Sequence, residues 1–344
     1  MSEGTTATTP AARPSLPRAW LFIAKILFSF VLFAFLFTRM PMADVIVTLR
    51  AVKPGMLAAA FGLLFLSNVL GAWQWWHLLD AVHIKIRLRR VLAYYHVGLF
   101  FNNFLPANIG GDIARVMDAS RHGETRAAAV STVVLDRVIG TVALAGLAVV
   151  TTVPAIKQFH LGLLYLAVVG FFAVSVGVLY GILHPRVLPA LERVMSRVGL
   201  KFLAPHLDDL ASRFAAVRTR GRLFAGLLSL ALVIQVMRVG VHVLVGRALG
   251  LSLPLTYFLL FVPLLAVIVS LPISLNGIGV REGAGMLLFG LVGVDRSLAF
   301  SLQFTTYLVA VSVSLLGALV LLGRLARRSL RSRVPSGGPP DVQP

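Results

Sequence analysis

Asn103-Phe104-Leu105-Pro106-Ala107-Asn108-Ile109-Gly110-Gly111-Asp112-Ile113-Ala114-Arg115 is the stretch on which the fold turns. Pro106 stands five residues before Gly111 and nine before Arg115. The same spacing returns in Leu271-Pro272-Ile273-Ser274-Leu275-Asn276-Gly277-Ile278-Gly279-Val280-Arg281-Glu282, where Pro272 stands five before Gly277 and nine before Arg281. An acid accompanies each arginine, Asp112 in the first case and Glu282 in the second. A proline lacks the backbone N–H that a helix needs and ends it. The glycines that follow permit φ > 0 or a close approach. Each break cuts an apolar run too short for a comfortable membrane crossing: 91–105 before Pro106, and 255–271 before Pro272, with a short apolar piece at 284–293 after it.

Outward from these breaks the chain alternates between long apolar runs and basic segments. Runs at 20–37, 55–78, 127–152, 161–183, 223–246 and 299–322 are each long enough to cross a bilayer. The composition agrees. Of 344 residues, 58% are hydrophobic and 13% charged, and the mean hydropathy is +0.88. Soluble domains run at about 45–50% apolar and about 25% charged. A soluble enzyme, a coiled coil and a disordered chain are excluded. The absence of cysteine excludes a disulfide scaffold and thiolate metal sites. The net charge of +19 suggests nucleic acid, but the basic residues lie scattered between apolar runs and no recognition motif accompanies them. No nucleic-acid partner is expected.

Charge decides the topology. If every apolar stretch crossed the membrane, the segment 184–222 with its eight Lys/Arg would face outward, against the positive-inside rule. If 91–126 and 255–298 instead dip in and return from opposite sides, segments 1–19, 79–90, 111–126, 184–222 and 323–344 are cytoplasmic and hold 22 of the 32 Lys/Arg. The expected fold is therefore an all-α polytopic membrane protein with about six full spans and two re-entrant broken-helix hairpins. Each half, about 20–152 and about 161–322, reads span, span, broken hairpin, span, and the two start on opposite sides, as in an inverted repeat. Both termini are expected in the cytoplasm, with 1–19 and the basic tail 323–344 disordered. Segment 184–222 is expected to form amphipathic helices on the membrane surface.

Irregular backbone at membrane depth implies a cavity. The candidate lining residues are Asn103, Pro106, Gly110 and Gly111 at the first break and Pro272, Asn276, Gly277 and Gly279 at the second. Arg115 and Arg281 carry guanidinium forks suited to a phosphate, and an intramembrane charge is either paired or functional. The competing reading is structural: Arg115 paired with Asp112 or Asp136, and Arg281 with Glu282. Asp136 and Arg137 are adjacent on one helix and point about 100° apart, so they do not pair with each other. Arg238 and His242 share a helix face and either line the same cavity or place Arg238 against Asp136 or Glu282. The histidines do not cluster at ligand spacing, and no phosphate-binding loop or dinucleotide fingerprint is present, so no metal and no cofactor are expected.

The runs 103–115 and 271–282, with Leu135-Asp136-Arg137 between them, resemble the lysylphosphatidylglycerol synthase transmembrane-domain family. This is the flippase-like membrane portion of bacterial multiple-peptide-resistance factors, also found as stand-alone proteins. The resemblance covers about residues 20–325. It implies a multi-pass protein of the bacterial inner membrane that translocates lipids or lipid-linked molecules. In bifunctional members an aminoacyl-transferase domain follows, and here the chain stops about twenty residues after the last span, so a transporter-like protein rather than an enzyme is expected. The expected cargo is an anionic or aminoacylated phospholipid or a lipid-linked sugar. The other readings are an accessory subunit of a lipid-modifying enzyme or glycosyltransferase, and a membrane enzyme for which no nucleophile–base pair is evident.

Overall fold

Five long apolar helices and two pairs of shorter ones make up the part of the chain described by the computed structural model, residues 47, 50–104, 110–123, 125–155, 159, 162–184, 187, 220–271 and 277–332. Helix α1 (Pro54–Ala81) opens on a proline, whose missing N–H costs nothing in a first turn. It closes where His83 takes φ 64° and the Ile84 N–H bonds the Leu79 carbonyl at 2.9 Å. The short helices α2 (Leu88–Phe104) and α3 (Gly110–Ala119) flank the first break. Helix α4 (Arg126–Thr152) begins under a Thr125 cap, whose hydroxyl accepts the Ala128 N–H at 3.3 Å. Helix α5 (Gly162–Leu183) follows. Helix α6 (Gly221–Ala248) ends at Gly250, φ +80°, where the Leu251 N–H folds back onto the Gly246 carbonyl. The short α7 (Leu255–Ser270) and α8 (Val280–Gly290) flank the second break, and α9 (Arg296–Ser332) closes the chain.

The protein is thus an all-α, multi-pass membrane protein. Helices α1, α4, α5, α6 and residues 296–324 of α9 are long and apolar enough to span a bilayer. The expected first span at 20–37 lies outside the described residues, as do tail 1–19 and most of the segment 184–222. The short apolar piece expected at 284–293 belongs to helix α8, which already starts at Val280 and so has Arg281 and Glu282 in its first turn. Helix α9 runs ten residues beyond the expected end at 322, through Ser332.

Helix α1 packs along α6, α9 along α2, and α7 against α4; α4 also carries α5 and α6. Lipid tails are as apolar as leucine, so burial gives little drive between helices, and close backbone contact takes over. Glycines provide that contact. A Cβ at Gly317 of α9 would strike the His96 carbonyl of α2, and one at Gly285 of α8 would strike the Gln303 side chain of α9. Aromatic rings fill the space around α7 and α8: Phe258, Phe261 and Phe289 are buried together, with the Phe261 and Phe289 rings 5.3 Å apart.

Candidate functional site

The first break is held by backbone and amide contacts. Gly98 on α2 and Gly111 on α3 face each other so closely that a Cβ at Gly111 would overlap the Gly98 carbonyl. The Asn102 carboxamide oxygen accepts the Gly111 N–H at 2.9 Å, which satisfies one of the open donors at the start of α3. That contact sets the angle at which α3 presents its polar face, with Asp112 and Arg115 one turn apart.

Arg115 is buried, 5% exposed, and its guanidinium lies between two rings, 4.2 Å from the Trp75 centroid and 4.8 Å from the Tyr95 centroid. Its Nη2 donates to Asp136 Oδ2 at 2.7 Å, whereas Asp112 stands 4.0 Å from Nη1. Asp136 therefore is the principal partner of the two that the sequence left open. The Gln74 amide donates to the other Asp136 oxygen at 3.0 Å. Arg137 turns to Asp112 instead and grips it in a two-pronged contact, Nε to Oδ2 at 2.9 Å and Nη2 to Oδ1 at 3.0 Å. Adjacent residues on α4 thus serve two different partners on α3. The Nε of Arg115 and the Oε1 of Gln74 are buried without a partner among the described residues.

A cavity of about 250 Å³ opens beside these pairs. Arg115, Asp136 and Arg137 line one wall, and Gln235 and Arg238 of α6 line another. Gln235 is anchored by its amide to the Gly140 carbonyl at 3.1 Å. Arg238 forms no ion pair with Asp136, Glu282 or another acid among the described residues. Three cations, Arg115, Arg137 and Arg238, therefore stand against two carboxylates, Asp112 and Asp136. His242 does not line this cavity with Arg238; its Nδ1 bonds the Arg238 carbonyl at 3.0 Å.

The second break is built differently. Gly277 and Gly279 have φ of +76° and +80°, which L side chains rarely adopt, and a Cβ at Gly277 would meet Val269. Glu282, 2% exposed, accepts the Gly279 N–H at 2.7 Å and so caps its own helix. The Arg281 guanidinium lies 4.8 Å over the Tyr307 ring of α9. Neither Arg281 nor Glu282 lines the cavity of the first break, which among the described residues reaches the second hairpin at Ser270.

The sequence-derived candidates therefore divide. Arg115, Asp136, Arg137 and Arg238 converge at one cavity, with Asp112 held behind Arg137 and Gly111 bracing the wall. Gly277, Gly279, Arg281 and Glu282 stand at the start of α8 and do not line that cavity. Gly110 begins α3, and Asn103 sits at the end of α2, where its neighbour Asn102 lines the cavity in its place. Pro106, Pro272 and Asn276 lie outside the described residues. Gln74, Tyr95 and Gln235 line the cavity and were missed; polar side chains inside apolar spans were the signal that pointed to them.

No curated protein matches the chain. The family model described as the lysylphosphatidylglycerol synthase TM region matches residues 22–318. The chain belongs to that family.

Proposed function

We propose that this protein is a lipid translocase that carries an anionic headgroup through the cavity beside Arg238. The observation that carries the reading is the excess cation: two arginines are engaged by two carboxylates, and Arg238 faces the same space with none. A phosphate would complete that set of charges, and the guanidinium fork suits it. Ligand pockets for drug-sized molecules measure about 300–1,000 Å³. At about 250 Å³ this one suits a small headgroup while the acyl chains stay in lipid. The charge also separates the cargoes considered. An aminoacylated head brings added ammonium groups into a space that is already net positive, and the Trp75 and Tyr95 faces that would receive a cation hold Arg115. An anionic phospholipid or lipid-linked phosphate is the better fit.

The helix pairing supports an inverted repeat of two halves with re-entrant hairpins. Helices α1 and α6 are both 28 residues long and pack on each other. The contact of α2 with α9 has its counterpart in α7 with α4, that of α1 with α9 in α6 with α4, and that of α3 with α4 in α8 with α9. The 17 residues of α2 and 16 of α7 fall short of the roughly 20 needed to cross. Two such halves would rock about the cavity and expose it to each side in turn. The test is reconstitution of the purified protein in liposomes that contain headgroup-labelled phosphatidylglycerol, phosphatidylcholine or lysylphosphatidylglycerol, with dithionite bleaching of the outer leaflet. Movement of phosphatidylglycerol ahead of the other two is expected. Bilayers that stay as tight as protein-free controls would overturn the reading and favour an accessory subunit.

A further inference from the structure

Beside α3 and α4, on the far side of the Arg137–Asp112 contact from the polar cavity, runs a second depression of about 850 Å³. Its walls are apolar and open. Ile113 and Met117, four residues apart on α3, are 53% and 58% exposed, and they face the Val130 and Val134 stripe of α4. One end carries two exposed arginines, Arg126 at the first residue of α4 and Arg121 just after α3, the latter 3.8 Å from Asp118, whose closer partner is Arg324 at 2.7 Å. The other end is the Arg137–Asp112 ion pair itself, and Arg137 lines both spaces. Eleven residues of α4 separate Arg126 from Arg137, about 16 Å at 1.5 Å per residue, roughly half the thickness of a hydrocarbon core.

We infer that this groove is a lateral binding site for an anionic phospholipid drawn from the leaflet at which Arg121 and Arg126 lie, and that the Arg137–Asp112 pair is the gate between groove and cavity. The inference deepens the translocase reading and rests on it. The groove differs from a bare lipid-facing surface in having cations at its rim. The exposed face of α5, with Leu163 83% and Val174 66% exposed, also meets lipid, but its helix carries no charged residue at all. An acyl chain fits the Ile113–Met117–Val130–Val134 walls, and the phosphate fits the rim arginines. To pass inward, the phosphate replaces the Asp112 carboxylate on Arg137, an exchange of one anion for another on the same guanidinium fork. The displaced Asp112, 21% exposed, keeps Arg115 at 4.0 Å as its remaining cation. Arg238 waits on the far side of the cavity as the next cation.

The chain has no cysteine, so a single introduced thiol reports from a single place. Met117→Cys and, as a bulk-lipid reference, Val174→Cys are each labelled with a fluorophore in the full chain and placed in phosphatidylcholine nanodiscs. Nitroxide-labelled phosphatidylglycerol or phosphatidylcholine is then added at equal mole fraction. At 117 the anionic lipid is expected to quench severalfold more strongly than the zwitterionic one, with less difference at high salt. At 174 the two are expected to quench equally. Adding Arg121→Gln and Arg126→Gln together should bring the two lipids to equality at 117. Equal quenching at 117 in the unmutated background, or a preference that survives both glutamines, would overturn the groove. The readout needs no transport. Preference without translocation would sink the translocase reading alone, and translocation without preference would sink the groove alone.

Discussion

Replacing Asp136 with asparagine removes the charge that holds Arg115 in place while keeping the shape of the side chain. The pair is close and dry: 2.7 Å apart, with the two side chains 6% and 10% exposed. At an effective dielectric of about 20 the attraction amounts to about 6 kcal/mol before desolvation is counted. Breaking a buried pair by removing one partner costs about 3–5 kcal/mol, since the remaining charge is left uncompensated. Arg115 keeps the Trp75 and Tyr95 faces and a distant Asp112, so the low end applies, about 3 kcal/mol. Arg115→Met removes the other charge and leaves a buried carboxylate, with a similar loss. The double variant carries neither charge and should lie within about 1 kcal/mol of the parent, because an apolar replacement of a whole buried pair is near neutral. The assay is reversible unfolding in mixed detergent micelles, followed by tryptophan fluorescence, to which Trp75 beside the pair contributes. A loss below about 1 kcal/mol for Asp136→Asn, or a double variant that shows the sum of the two single losses, would refute the claim that this ion pair fastens α3 to α4.

Two shorter predictions follow from contacts elsewhere. Gly111→Ala forces α3 away from the Gly98 carbonyl, a backbone that cannot rotate aside, and should cost about 1–3 kcal/mol or more in the same unfolding assay, whereas Gly140→Ala, with open space around it, should be tolerated. Asp295 precedes α9 and accepts the Ser297 N–H at 2.8 Å and the Ser297 hydroxyl, contacts that hold its carboxyl below the usual range. Its contribution is present above about pH 4 and fades as the pH falls through the lowered value. Asp295→Ala should therefore cost about 1 kcal/mol near neutral pH, and the gap to the parent should close in acid; a gap that stays constant with pH would show that the carboxylate does not cap the helix.

Much of the scaffold was legible because its signals are strong and local. Proline followed five residues later by glycine ends one helix and starts another, and apolar runs of about 20 residues have few alternatives in a chain with so little charge. Arg115, Asp136 and Arg238 could be singled out because ionised groups in such runs are costly. The partnership among them was not legible. Whether Arg115 meets Asp112 or Asp136 depends on how α4 is turned about its axis, and that is set by contacts as distant as Trp75 to Thr132, 3.0 Å apart. The cap that Glu282 makes was not legible for a different reason. Placed beside Arg281, that residue reads as half of an ion pair. Once α8 begins at Val280, Glu282 is its third residue, and the nearest open donor is the Gly279 N–H. The matching spacings of the two breaks therefore begin two different turns: α3 opens with the Gly111 N–H held by Asn102, and α8 with the Gly279 N–H capped by Glu282.

The claim that Arg238 receives the headgroup is tested most directly by the rate at which Arg238→Gln moves labelled phosphatidylglycerol in liposomes, at matched protein density and with folding checked by the unfolding midpoint. A charged hydrogen bond contributes about 1.5–3 kcal/mol. The account predicts a loss of about tenfold or more with the midpoint unchanged, and partial recovery in Arg238→Lys, which keeps the charge without the fork. Wild-type rates in Arg238→Gln would contradict it.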